Sequence, residues 1–246
     1  VSRVPRFHVP DLPPSGPVPL PPEAARHARK TLRLEPGDPV RLFDGRGREA
    51  EARLLGGPRG GPVLAEILRL LPPPEGELPS RVLAFSPPRG ERLEWLVEKS
   101  TELGATTLQP VLWERTPPRS RNLRLERLER IAASACEQCG RAFLPEILPP
   151  RTLEEFLEGP IPPGAFLLER GGPPPGREDK RAPILLAAGP EGGWTERERA
   201  ALASRGFRPL GLGPLVLRIE TALLAGLALL APPCEAPGRG GSGAPP

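Results

Sequence analysis

Methionine and tyrosine are absent from the 246 residues, histidine occurs twice (His8 and His27) and cysteine three times. So few thiols, and an odd number of them, exclude a disulfide framework. "CEQC" at Cys136 to Cys139 has C-x-x-C spacing, but Cys234, His8 and His27 supply no second pair at ligand spacing. The motif also falls within a helix pattern rather than at a strand exit, where a redox pair would sit. Both thiols therefore read as core residues, and no metal is expected. No apolar run approaches the roughly 20 residues of a membrane span. The start, "VSRVPRFHVP", is too polar and proline-rich for a signal peptide. The expectation is a soluble, cytoplasmic protein with no membrane partner. Proline, by contrast, is abundant at 39 residues, many in connections such as "LPPSGPVPLPPE" and "LPPPEGELP". There it lowers the entropy of the unfolded chain. Adaptation to heat and a GC-rich genome would both give this composition.

The net charge is +4, and its distribution is uneven. Residues 1–71 hold 12 Lys/Arg against 8 Asp/Glu, whereas the remainder holds 22 of each. A basic module beside a neutral one suggests a polyanion-binding unit joined to something else. The Pro-rich stretch "LLPPPEGELPS" separates the two, so the chain divides into 1–71, a linker at 72–80, a second domain over 81–231 and a disordered tail over 232–246. The first module reads as mainly β. "DPVRLFDGRGREAEARLL" alternates around Asp44-Gly45 as a hairpin, "GPVLAEILRLL" is a strand, and "PPEAARHARKTLRL" is a short helix begun by Pro22 and Glu23.

Beyond the linker, strands and helices alternate. "RVLAFS", "TTLQPVLW", "GAFLLE", "PILLAA" and "RPLGLG" read as strands. "GERLEWLVEKSTELG", "NLRLERLERIAASACEQCGR", "TERERAALASRG" and "ETALLAGLALL" read as helices. This order predicts an α/β fold with a parallel sheet between two helical layers. Two strand exits are rich in glycine. In "LLAAGPEGGWTERERAAL", Gly189, Gly192 and Gly193 follow a buried strand, and Thr195 and Glu198 have capping-box spacing. In "LGLGPLVLRIETALL", Gly211 and Gly213 lead to an Arg-x-Glu-Thr cluster at the entry to an apolar helix. Neither loop is a P-loop, and "GLGPLV" lacks the third glycine of a dinucleotide fingerprint. Two such exits from one parallel sheet can wall a single ligand pocket.

"AAGPEGGWTERE" followed by "LGLGPLVLRIETA" resembles the signature of the RsmE family, 16S ribosomal RNA uracil-N3 methyltransferases of the SPOUT (trefoil-knot) superfamily. "RFHVP" and "HARKTLRLEPGDPVRLFDGRG" are similar to that family's N-terminal PUA-like domain, and "EWLVEKSTELGATTLQPVLWERT" and "RLERIAASACEQCGRAFLPEI" to its central motifs. The resemblance implies a small PUA-like β-barrel followed by a SPOUT α/β domain with a deep trefoil knot. It implies S-adenosylmethionine as cofactor, 16S rRNA within the small (30S) subunit as substrate, and a homodimer through the apolar C-terminal helix. The cofactor would lie on Gly189, Pro190, Glu191, Gly192 and Gly193, on Leu212, Gly213, Val216, Leu217 and Arg218, and near Leu168, Thr221 and Ala222. Residues facing RNA would be Arg6, His8, Arg26, His27, Arg29, Lys30, Arg33 and Arg115.

Methyl transfer to uracil N3 requires alignment, loss of a proton and donors for charge on the uracil carbonyls. Lys99, Arg115, Arg141 and Arg218 are candidate donors; Glu102, Glu137 and Glu220 are candidate bases. Sequence does not choose among them. Two other readings stand beside this one: a SPOUT methyltransferase acting on tRNA, and a non-catalytic RNA-binding or ribosome-assembly protein.

Overall fold

The computed structural model describes residues 4–55, 61–72, 79–176, 179 and 183–231. Most of the expected linker and all of the expected tail, with Cys234, lie outside these residues. The rest forms two sheets.

The first sheet has the order β1-β3-β4-β5-β2, from β1 (Arg6–His8), β2 (Gly16–Pro19), β3 (Pro39–Phe43), β4 (Glu49–Leu54) and β5 (Leu64–Leu70). Its pairings are antiparallel apart from β1 with β3. Phe7, Val18, Leu42, Ala52 and Ala65, one from each strand, meet in a single core, so the sheet curls around its buried face. The expected hairpin is β3–β4. Its turn holds together because the Asp44 carboxylate accepts from the N–H groups of Arg46 and Arg48. Helix α1 (Pro22–Arg26) starts with proline in its first turn and runs on as a single π turn, His27–Thr31.

The second sheet has the order β12-β10-β11-β6-β7-β8, parallel throughout. Its central strands are β6 (Arg81–Phe85), β10 (Gly164–Leu168) and β11 (Ile184–Ala188), flanked by β7 (Thr107–Leu112) and β12 (Arg208–Leu210). Strand β11 is buried at all five positions, as the continuous apolar runs require of a sheet covered on both faces. Leu83, Phe85, Ile184 and Leu186 face α2 (Glu91–Glu102), α3 (Leu125–Cys139) and α6 (Ile219–Leu229). Ala84, Leu185 and Ala187 face the other way, toward Trp113, Trp194 and α5 (Glu196–Ser204). The two-residue strands β8 (Glu146–Ile147) and β9 (Arg151–Thr152) and the helix α4 (Leu153–Glu158) had no counterpart in the sequence reading.

Helix α6 corrects one expectation. Its apolar character was assigned to a dimer contact, but Leu223, Leu224, Leu227 and Leu230 are buried within the chain itself. The helix is apolar nearly all round because it fills the space between α2 and the sheet. Arg81 ties the same layer together. Its guanidinium is buried and donates to the carbonyls of Leu103 and Leu230, at the C-terminal ends of α2 and α6.

The two units meet along a polar seam. The hairpin tip docks on the chain after α3 through Gly47 N–H to Ala142 O (3.1 Å) and Leu144 N–H to Gly45 O (2.9 Å). A Cβ on Gly47 would collide with the Phe143 ring, so glycine is required for this approach. Arg6 donates to Glu49 and to the carbonyl of Arg141, and the His8 N–H donates to Glu137 at 2.9 Å.

Candidate functional site

The C-terminal ends of β10, β11 and β12 open into one cleft of about 490 Å³. That size suits a nucleoside-like ligand. Three loops wall it: 168–170 after β10, 188–194 after β11 and 210–219 after β12. The two glycine-rich exits singled out in the sequence therefore do converge.

The second loop is rigid for reasons the sequence carries. Gly193 N–H bonds Pro190 O at 2.8 Å and Gly193 has φ +72°, so 190–193 is a tight turn. The Trp194 ring then folds back under Gly189, where a Cβ would stand 2.8 Å from its ring atoms. Its Nε1–H reaches Leu168 O, and its ring packs edge-to-face with that of Trp113, the centroids 4.7 Å apart. Thr195 and Glu198 form the expected capping box. Glu198 is fully buried because its second oxygen also accepts from the N–H of Glu114 (2.8 Å). In the third loop, Gly213 has φ +119°, a conformation reserved for glycine. A Cβ on Gly211 would collide with the carbonyl of Gly172, so the chain leaving β12 lies against the loop leaving β10.

Of the residues assigned to the cofactor, Leu168, Gly189, Pro190, Glu191, Gly193, Leu212, Gly213, Val216, Leu217, Arg218 and Ala222 line the cleft. Gly192 and Thr221 do not. Thr221 is exposed on α6, and Gly192 instead presents its carbonyl to Arg115 Nη1 at 2.6 Å. The room left by its missing Cβ is taken by the Arg115 side chain, 3.2 Å from where that atom would be.

The proposed acids, bases and donors separate. Arg218, the residue before α6, is exposed on the cleft rim. Glu220, two residues on, is buried, with Oε2 lacking a hydrogen-bond partner and Oε1 4.0 Å from Arg92. Arg92 also reaches Glu191 at 3.1 Å, so it links α2 to both loops. Glu220 does not line the cleft, and neither do Lys99, Glu102, Glu137 and Arg141. Lys99 bridges Glu98 and Glu102 along α2, and those two bonds raise its pKa. Arg141 donates to the carbonyls of Thr101 and Ala105 and closes the end of α2; burial lowers its pKa. Glu137 sits in the seam, where burial pushes its carboxyl up to about 7 against the opposing pull of the His8 N–H and Arg6.

The residues expected to face RNA also divide. Arg26, His27, Arg29, Lys30 and Arg33 are all exposed around α1 and the π turn, and Arg115 is exposed beside the Gly192 loop. Arg6 and His8 are not. The Arg6 side chain is nearly buried on Glu49, and burial lowers the pKa of His8, whose Nε2 meets Asp44 O. The sequence reading missed Arg92, Glu169, Arg170, Trp194 and Arg199. "GGWT" was a usable signal for Trp194. An arginine in a helix pattern gives none, because the same letter serves a solvated face. Among the described residues no three metal-ligating side chains cluster.

The cleft's architecture has counterparts in known proteins. A family model described as an RNA methyltransferase domain matches residues 76–231, and one described as an RNA methyltransferase PUA domain matches residues 20–68. A ribosomal RNA small subunit methyltransferase E of Synechocystis is 36% identical over 219 residues, which is 82% of this chain and 68% of that protein. A crystal structure of a ribosomal RNA small subunit methyltransferase E from Neisseria gonorrhoeae bound to S-adenosyl methionine has a TM-score of 0.81 at 35% identity, covering 92% of this chain and 96% of the other. A putative methyltransferase from Legionella pneumophila in complex with SAM has a TM-score of 0.82 at 30% identity, covering 93% and 97%.

Proposed function

This chain belongs to the ribosomal RNA small subunit methyltransferase E (RsmE) family, and from that premise we propose that it methylates N3 of one uridine of 16S rRNA, the position numbered 1498, using S-adenosylmethionine. The observation that carries the reading is the convergence of the glycine-rich loops on one cleft at the carboxyl ends of three parallel strands. The residues fit the cofactor. Leu168, Leu210, Leu212, Ile219 and Ala222 offer an apolar bed for adenine, and Gly189 and Gly213 bring main chain to the cavity wall.

When bound, S-adenosylmethionine supplies an electrophilic methyl group. The chain's part is to bind, orient and handle the proton of uracil N3. Arg218 stands on the rim with a guanidinium free to donate to a uracil carbonyl. Glu220, two residues further on, does not itself line the cleft but has a carboxylate oxygen with no hydrogen-bond partner among the described residues and is the candidate base; Arg92 stands 4.0 Å from its other oxygen. The trefoil knot belongs to the same reading. So does a cytoplasmic homodimer. Exposed Trp95 and Leu103 on the α2 side and Leu229 on α6 are its candidate contact surface.

Calorimetric titration with S-adenosylmethionine tests the cleft. The wild type should bind, and Gly213→Val should lose at least about tenfold in affinity, because a branched residue resists this positive φ and so displaces the main chain that forms the cavity wall. Equal affinity for the two proteins would refute the site. Mass spectrometry of 16S rRNA from a deletion strain tests the substrate. Loss of one methyl-uridine supports the assignment; an unchanged 16S rRNA with an altered tRNA would favour the tRNA reading.

A further inference from the structure

The charged end of the cleft goes beyond the cofactor's identity to how its parts are told apart. Glu169, just past β10, and Arg199 on α5 form an ion pair that lines the cavity. It is recessed, with side chains 27% and 34% exposed, whereas Arg170, Glu191 and Arg218 are exposed at the edge. Glu191 is already engaged by Arg92. Among the described residues the Arg199 Nε is buried without a hydrogen-bond partner. Glu196 Oε1 is 3.7 Å from that nitrogen, too long for a hydrogen bond, and its side chain points into solvent.

We propose that Arg199 and Glu169 clamp the amino-acid tail of S-adenosylmethionine, Arg199 taking its carboxylate and Glu169 its ammonium group. The proposal rests on the cofactor reading above. A planar guanidinium on the cavity wall is matched to a carboxylate. A neighbouring carboxylate is matched to the positive group one carbon away. The tail is a zwitterion, so it can replace each partner of the internal pair with one of the same sign. Neither protein charge is then left buried and uncompensated, which would be strongly unfavourable. Leu168, Leu210 and Leu212 supply the same cavity with an apolar wall for the adenine end. Arg199 is thus a specificity-determining residue, selecting ligands with an intact tail.

The test compares two ligands that differ only in the tail region. Calorimetry of the wild type, Arg199→Gln, Arg199→Lys and Glu169→Gln uses S-adenosylhomocysteine, which has the tail, and 5′-methylthioadenosine, which lacks it. Arg199→Gln and Glu169→Gln should each weaken S-adenosylhomocysteine by about tenfold or more, the size of a lost charge-assisted hydrogen bond. Arg199→Lys should fall between, and methylthioadenosine affinity should not change in any variant. That unchanged affinity also verifies the fold. Unaltered S-adenosylhomocysteine binding in the variants would make the pair structural and overturn the clamp. Equal losses for both ligands would place the pair on the ribose or the general pocket shape, and would overturn it too. A wild type that binds neither ligand would instead refute the cofactor reading itself.

Discussion

In the N-terminal sheet the strands bury one face and present the other. Strand β4 buries Ala50, Ala52 and Leu54 and turns Glu49, Glu51 and Arg53 outward. In the C-terminal sheet, β11 buries every residue from Ile184 to Ala188. The difference decides where each unit can keep a function. The one-sided sheet has side chains to spare, and its positive charge stands on exposed residues around α1. The two-sided sheet has none to spare. Its site lies at the strand ends, where glycine loops offer main chain and a few charged side chains frame them. Phosphates can be met by long cations that need little positioning, whereas a bent small molecule needs fixed walls.

The sharpest break between the two units is expected from the packing of α6. Leu227 is fully buried between α2 and the sheet. Leu227→Ala should destabilise the protein by roughly 2–5 kcal/mol, the range for a buried leucine truncation. Leu229, 47% exposed on the same helix, should behave differently. Leu229→Asp should leave the melting temperature nearly unchanged while shifting sedimentation toward monomer. If instead Leu229→Asp unfolds the protein, or a wild-type monomer is found at micromolar concentration, α6 has no second-copy face.

The seam joins the units and gives the next effect. Glu137 is raised from an ordinary 4.5 to about 7, chiefly by burial, with Glu23 adding to the shift and the His8 N–H and Arg6 opposing it. The folded carboxyl holds its proton more tightly than the unfolded one. Its contribution is therefore most favourable at low pH and is lost as pH rises through about 7. Glu137→Gln keeps an acceptor for the His8 N–H without the charge. Relative to wild type, it should gain roughly 1–3 kcal/mol in stability between about pH 5 and pH 8. Denaturant melts at both pH values check this, and parallel pH profiles for the two proteins would contradict it.

Legibility in the sequence followed the same division. The long strands and helices were readable because each pattern has one cause: continuous apolar residues for a covered strand, a 3.6-residue period for α3, a capping box at Thr195 for α5. Helix α4 was missed although Thr152 and Glu155 carry the same capping box, because the preceding prolines and two-residue strands hid the signal. One glycine-rich strand end serves a tight turn equally well, so the loops were readable as a site only because two such exits leave one sheet and together resemble a family signature. The arginines were not. Arg141 reads as a donor for substrate and instead holds the end of α2, while Arg199, one letter within the helix pattern "TERERAALASRG", lines the cleft. A guanidinium suits carbonyls, carboxylates and water alike, so only tertiary placement assigns it.

The smallest expected effect tests the exposed cations themselves. Arg29 and Lys30 stand on the π turn after α1, both exposed, and among the described residues Arg29 donates to the carbonyl of Gly61 at 3.2 Å. Nothing in the fold depends on their charge, so Arg29→Glu with Lys30→Glu should leave the melting temperature and S-adenosylmethionine affinity unchanged. If they hold rRNA by its phosphates, RNA affinity should fall several-fold. Its dependence on salt should flatten by about 0.7 in log–log slope for each single-strand phosphate contact removed, or about 1.4 for both. The slope is the informative quantity, because a damaged fold would weaken binding without changing the number of counterions released by the molecules that still bind. An unchanged slope and affinity would mean that the positive charge of the N-terminal module is a solvated surface. Phosphate contacts would then have to come from Arg115 and the cleft rim, and the two units would no longer divide substrate from cofactor.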